Sequence, residues 1–301
     1  MATRRLPQAP AGEVRPAVRT WLLVVPLIAF LVALLLAPGG RAAARGPAPA
    51  DVVAAMTSAY GATGTLAVVV AKQQRPAGGS SIVTAEARSA RIAAATADNG
   101  LADRPFPAAS MVKLFMAEDI LHRARTVGLN LTGEDFALLQ VMIRTSDDPA
   151  ASTLWVRHGG GRMVSDVAAR YRLSGTAPPV RAGQGGLTTT TARDLARFLS
   201  LLPVVAHPAD AGALLAWMRT ATPVAADGFD QRFGLHGTVP GMPAVKQGWM
   251  CCVGGNRHLH SVAVIGRRVV VLLSEFPEAA GYDAGRAALG AAAAALPLPR
   301  P

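Results

Sequence analysis

The chain has 301 residues, 51% of them hydrophobic and 16% charged, with a formal net charge of +11 and two cysteines. That length and apolar content allow one domain of ordinary size around a sizeable core. No basic stretch is interleaved with aromatics, which speaks against nucleic acid; the charge gives either a surface suited to anionic lipids or wall polymers, or simply a solvated one.

Residues 1–20 carry Arg4, Arg5, Arg15 and Arg19 against one acid, Glu13, and a 17-residue apolar run follows from Trp21 to Ala37, broken only by Pro26. This is the pattern of a signal peptide or a signal anchor, with the arginines on the cytoplasmic side. Residues 1–50 are therefore read as that segment plus a Pro/Gly/Ala linker, with Ala42-Ala43-Ala44 as a candidate cleavage site. The remaining chain, 51–301, is expected to be exported or tethered to the membrane. Arg4-Arg5 lies too far from the apolar run for a twin-arginine signal, and no cysteine follows that run to serve lipoprotein processing.

Beyond the linker, Asp51 is expected to cap an amphipathic helix ending near Tyr60-Gly61. Strand-like runs follow at 65–72, 81–87 and 91–96. A long helical stretch, about 110–219, comes next and opens after Pro105-Phe106-Pro107, which favours an extended approach. After a loop at 228–240, strands recur at 244–251, 258–265 and 269–274, and the alanine-rich stretch 279–295 reads as a closing helix. Strands at both ends around a helical middle give a sheet lobe, about 51–109 and 220–301, with a helical lobe inserted at about 110–219.

Lysine occurs three times against 27 arginines. Lys72 ends an apolar run and is expected at the surface. The other two stand in short motifs, and a desolvated lysine can release a proton where arginine cannot. Lys113 closes Ser110-Met111-Val112-Lys113, where Val112, Phe115, Met116 and Ile120 recur at helical spacing. Ser110 then lies at a helix start and Lys113 one turn on, along the same face. Thr132 and Asp135 form a capping-box pattern that opens a second helix, which runs to Ser146-Asp147-Asp148 and resumes as 149–155. The third motif is Lys246-Gln247-Gly248-Trp249, followed directly by Cys251 and Cys252.

These three boxes, in this order, resemble the penicillin-recognising serine hydrolases, whose boxes are Ser-x-x-Lys, Ser-Asp-Asn and Lys-Thr-Gly. Class A β-lactamases and small D,D-peptidases are the nearest members. The likeness spans roughly 51–295 and includes Thr188–Thr191 before one helix and Leu214-Leu215-Ala216-Trp217-Met218 on the next. It implies an α+β fold in three layers: an antiparallel sheet of about five strands, flanking terminal helices and an inserted all-α lobe. It further implies that Ser110 attacks a carbonyl, with Lys113 as base or proton relay. Ser146 would carry the proton to the leaving nitrogen in the field of Lys246, which would also attract a substrate carboxylate. The backbone N–H groups of Ser110 and Trp249 would form an oxyanion hole. Asp148, Gln247, Gly248 and Trp249 would bind substrate, and Asp147 would tie the Ser146 loop. The implied ligand is a peptidoglycan stem peptide or a β-lactam, bound by a monomer with no cofactor and no metal.

Three departures from the family pattern bear on activity. No carboxylate occurs in the loop 174–186 that carries the deacylating glutamate in the β-lactamases; Asp166 falls inside a helical pattern before it, and Gln184 is no base. The asparagine of the second box is Asp148, which should pair with the lysines and repel a substrate carbonyl. The spacing from Ser110 to Ser146 is short for class A, which opens one wall of the cleft. An acyl-enzyme slow to deacylate is the first expectation; a weak or inactive module binding a wall fragment or a partner protein is the alternative.

Cys251 and Cys252 allow a vicinal disulfide outside the cytoplasm, or two reduced, partly buried thiols. His158-Gly159-Gly160-Gly161 reads as a glycine-rich helix end, because no Gly-x-Ser-x-Gly elbow accompanies it. No P-loop occurs. His258 and His260 share a strand face without a third ligand cluster, so they are expected to be core or surface histidines.

Overall fold

The computed structural model describes residues 47–75 and 96–298, and the chain divides into the units Met1–Arg45 and Gly46–Pro301. The expected leader, the apolar run at 21–37 and the expected strand at 81–87 lie outside the described residues, as does the expected strand at 91–96 except for Thr96. Among the described residues no helix is long and apolar enough to cross a membrane.

The second unit begins with α1 (Pro49–Tyr60) and β1 (Thr65–Lys72), then the two-residue strands β2 (Ala97–Asp98) and β3 (Phe106–Pro107). Asp51 sits inside the first turn of α1; the capping position belongs to Ala48, because Pro49, which needs no N–H partner, starts the helix one turn earlier than expected. A 3-10 turn, Ala109–Met111, leads into α2 (Val112–Thr126), followed by α3 (Gly133–Arg144), α4 (Asp148–His158) and α5 (Gly161–Tyr171). Then come β4 (Thr189–Thr190), α6 (Ala192–Val205), α7 (Pro208–Arg219) and a short α8 (Gly234–Thr238) inside the expected loop. The chain ends in β5 (Ala244–Val253), β6 (Asn256–Ile265), β7 (Arg268–Pro277) and α9 (Gly281–Ala294).

Five strands form one antiparallel sheet in the order β2-β1-β7-β6-β5. The strands read as unbroken apolar runs because both faces are covered, and successive residues alternate between two cores. Ala67, Val69 and Ala71 of β1, with Val269, Val271 and Leu273 of β7, face the core they share with α2–α7. Their neighbours Leu66, Val68 and Val70, with Val270 and Leu272, face α1 and α9. The result is three layers: terminal helices, sheet and helical lobe, as the resemblance implies.

Two features of this frame position the site. Among the described residues β5 is an edge strand that pairs only with β6, and it approaches the turn at Ser110 through Gly248. β3 pairs with β4 through Phe106↔Thr190 and Pro107↔Thr189, which clamps the segment that enters that turn. At the far end of α4, Gly159 takes φ 98° and closes the helix, as its sequence context predicts.

Candidate active site

The turn that carries Ser110 is held from three sides. Ala108 N–H donates to Thr188 O at 2.7 Å, and His260 Nε2 bonds Pro107 O at 2.9 Å. The same ring's Nδ1 accepts from Ser274 N–H at 3.3 Å, so the proton must reside on Nε2, where it is donated to Pro107. Burial, and secondarily the neighbouring His258, push the His260 pKa down to about 3, so the ring stays neutral and this tautomer persists. On the third side a Cβ added at Gly248 would come within 3.2 Å of Ser110 N and 3.4 Å of Ala109 Cβ, so β5 approaches the turn with little room for a side chain at 248. Ala109 and Ser146 take φ of 47° and 55°, a left-handed conformation that costs non-glycine residues about 1–3 kcal/mol and tends to cluster at functional sites.

Lys113, one turn beyond Ser110, places Nζ 3.0 Å from Ser110 Oγ. The same Nζ lies 2.6 Å from Ser146 O, 3.3 Å from Ser146 Oγ and 2.6 Å from Asp148 Oδ1. Lys246 Nζ donates to Ser146 Oγ at 2.7 Å and to Gln247 O at 3.0 Å. Ser110, Lys113, Ser146 and Lys246 therefore form one continuous hydrogen-bonded chain. An ammonium has three hydrogens, and four acceptors surround Lys113 Nζ. A neutral amine fits the same set differently: two hydrogens for Ser146 O and Asp148, and a lone pair turned toward a serine hydroxyl. Burial lowers the Lys113 pKa, against the opposing pull of Asp148, Asp147 and Asp227. Burial, reinforced by the charge of Lys113, lowers the Lys246 pKa further. Each shift favours an amine able to take a proton.

Asp147 caps α4 by accepting from Ala150 N–H at 2.6 Å, which fixes the Ser146 loop. Lys246 is 1% exposed and faces Ser146. Gln247 departs from the expectation that it binds substrate: its Nε2 donates to Phe233 O at 2.6 Å and its Oε1 accepts from Ser261 at 2.9 Å, in the interior. Strand alternation turns it away from the side that Lys246 occupies. Trp249 lines the cleft, and its ring is stacked on Phe229 at 4.6 Å and tied through Nε1 to Asp227 at 3.1 Å. Cys251 and Cys252 are joined to each other and both are exposed, which replaces the alternative of two partly buried thiols. His258 and His260 are both buried, at 1% and 0% exposure.

Over Ser110 opens a cleft of about 350 Å³. One wall is a single face of α4, Asp148, Ala151, Ser152 and Trp155, recurring at the i, i+3, i+4, i+7 spacing. The segment 183–186 also lines it: a Cβ added at Gly185 would come within 3.2 Å of the Trp155 ring, and one at Gly186 within 3.9 Å of Ala109 Cα. Trp155, Met116 and Met250 were not legible as cleft residues from the motifs, although the helical face of Asp148 was available to point to Trp155. Among the described residues Asp148 is the carboxylate that lines the cleft; Asp166 lies on α5 beside Arg162 at 3.4 Å.

Solved structures similar to this one are β-lactamases. One from Chitinophaga pinensis matches with a TM-score of 0.61 at 12% identity, covering 81% of this chain and 97% of that chain. One from Xanthomonas campestris matches with a TM-score of 0.59 at 17% identity, covering 81% and 96%. A reconstructed ancestral class A β-lactamase gives 0.58 at 18% identity, covering 81% and 98%. At such identities the likeness is one of fold: the chain has the β-lactamase-like fold. No protein-family model matches it. Proteins of Mycobacterium tuberculosis and Mycobacterium bovis named "Putative lipoprotein LppW" are 39% identical over 177 residues, 57% of this chain and 56% of theirs. The chain thus spans about half the length of the curated relatives it matches.

Proposed function

We propose that this protein is an exported serine hydrolase that forms an acyl-enzyme on Ser110 with a peptidoglycan peptide or a β-lactam, and that it releases β-lactam products slowly. The observation that carries this reading is the unbroken chain from Ser110 Oγ through Lys113 Nζ, 3.0 Å away, to Ser146 and Lys246. A serine hydroxyl needs an adjacent base to attack a carbonyl, and a buried lysine with a lowered pKa meets that need. Ser146, whose Oγ lies 3.3 Å from Lys113 Nζ and 2.7 Å from Lys246 Nζ, hands the proton to the leaving group in this reading. The N–H groups of Ser110 and Trp249 are the oxyanion donors this reading requires. Export is supported by the arginine-flanked apolar run at 21–37 and by relatives whose printed name is that of a lipoprotein. In this reading the apolar run at 21–37 is the candidate tether.

The test is intact-mass analysis after incubation with a penicillin. A single adduct is the expected result; an unmodified chain at high penicillin concentration would favour a binding module instead.

One observation favours that second reading. Asp148 Oδ1 sits 2.6 Å from Lys113 Nζ and opposes the loss of its proton. Removing the carboxylate lowers the Lys113 pKa, and the neutral form, which is the base, becomes more abundant at neutral pH. Asp148→Asn should therefore acylate faster than wild type at pH 7, by severalfold or more, with the rise in rate shifted to lower pH. Acylation rates measured across pH with a fluorescent penicillin check this. An unchanged or slower rate in the variant would mean that the carboxylate is not what restrains the site.

A further inference from the structure

An aspartate at position 148 inverts what the asparagine of the resembled box offers, because a carboxylate accepts hydrogen bonds and donates none. Its side chain is 78% exposed, whereas Lys113 and Lys246 are 2% and 1% exposed. Of the pair Asp148 forms with Lys113, the member that a molecule in the cleft meets first is therefore the carboxylate. Lys113 occupies Oδ1, which leaves Oδ2 for a ligand. Ser110 Oγ and Asp148 Oδ1 both bond Lys113 Nζ, at 3.0 and 2.6 Å, so nucleophile and carboxylate lie within two hydrogen-bond lengths of each other. A nitrogen attached to the carbon next to an attacked carbonyl falls in that range. Along the same wall, Ala151, Trp155 and Val156, with Met116, present an apolar surface.

We propose that the cleft selects acyl donors with a free α-ammonium group and an apolar side chain: α-aminoacyl amides or esters. Asp148 binds the ammonium, the Trp155 wall receives the side chain, and Ser110 attacks the carbonyl. Oγ bonds to the carbonyl carbon, the bond to the leaving nitrogen or oxygen breaks, and the leaving group takes the serine proton by way of Lys113 and Ser146. Water then releases the amino acid and restores the hydroxyl. This rests on the acyl-enzyme reading of Ser110 and goes beyond the peptides and β-lactams named there to a further donor class; donors whose only nearby charge is a carboxylate acylate more slowly.

The experiment uses 4-nitroanilides of one apolar amino acid in three forms, with a free amine, N-acetylated and lacking the amine, each as both enantiomers where the carbon is chiral. Single-turnover nitroaniline release should be about 10- to 100-fold faster for the free amine than for the N-acetyl form, the range expected of a charge-assisted contact. The preference should fade as pH rises through the amine's own pKa, about 7.7. It should vanish in Asp148→Asn, whatever that variant's absolute rate, since the ratio cancels the change at Lys113. Equal rates in wild type, or a preference that survives Asp148→Asn or the rise in pH, overturn the proposal. The pH series on wild type decides the point if the variant does not fold. A fluorophosphonate separates the two levels of failure. Labelling at Ser110 without any ammonium preference defeats this inference alone; no labelling and no anilide cleavage defeat the acyl-enzyme reading and this inference with it.

Discussion

Ser110→Ala should take no acyl adduct under conditions that label the wild-type chain fully, and Lys113→Arg should lose about 10²–10⁴ in labelling rate while keeping its charge. The second variant is the more informative. A guanidinium at 113 retains an attraction for Asp148 and for developing negative charge, but it cannot give up a proton. The loss therefore measures proton acceptance apart from charge. In the wild type, burial holds the Lys113 pKa below the ordinary lysine value. The neutral amine is the base, so labelling should climb as pH rises through that lowered pKa and level off above it. Lys113→Arg should lack this climb. The measurement is the second-order rate of fluorophosphonate or fluorescent-penicillin labelling against pH. Labelling of Lys113→Arg at the wild-type rate would mean that residue 113 acts by charge alone and that another group takes the proton.

How much of this was legible in the sequence follows from the range of the interactions. Most local rules held: Thr132 and Asp135 make both bonds of the capping box, and Lys113 does lie one turn from Ser110, while Asp51 proved to lie inside its helix instead of capping it. The three boxes, ordered as they are, gave the fold and the set of groups that converge. Orientation was harder. Lys246 and Gln247 are neighbours on one strand and must point to opposite sides, yet the box as a unit put both on the substrate. Gln247 proves to be an interior amide that ties β5 to Phe233 and Ser261, and Lys246 is covered by the groups it serves. Asp227 gave no signal at all, because its contact with Trp249 joins a loop to a strand across 22 residues. β2 was illegible for a simpler reason: two residues carry no period.

The acyl-enzyme, once formed with a penicillin, should persist, with penicillin consumed in about one equivalent per chain over the lifetime of the adduct. Hydrolysis of the ester needs a base beside the attacking water, and such help is typically worth about 10²–10⁴ in rate. The segment 183–186, which lines the cleft beside the Ser110 turn, offers one glutamine amide and three glycines, none of which can take a proton. Asp166 is on α5 beside Arg162, outside the cleft lining. Asp148 does line the cleft, but its Oδ1 is held 2.6 Å from Lys113 Nζ. A mass-spectrometric time course and ring-opening absorbance on one sample check the expectation together. Fast multiple turnover without a visible adduct would sink it, and Asp148 would then be the group to suspect; Asp148→Asn should in that case accumulate the adduct. Quick turnover of a small D-alanyl peptide alongside a stable penicilloyl adduct would point to a D,D-carboxypeptidase. There the departing amine leaves the site to water, whereas the amine freed from a penicillin remains tethered to its own acyl group and stays in the water's place.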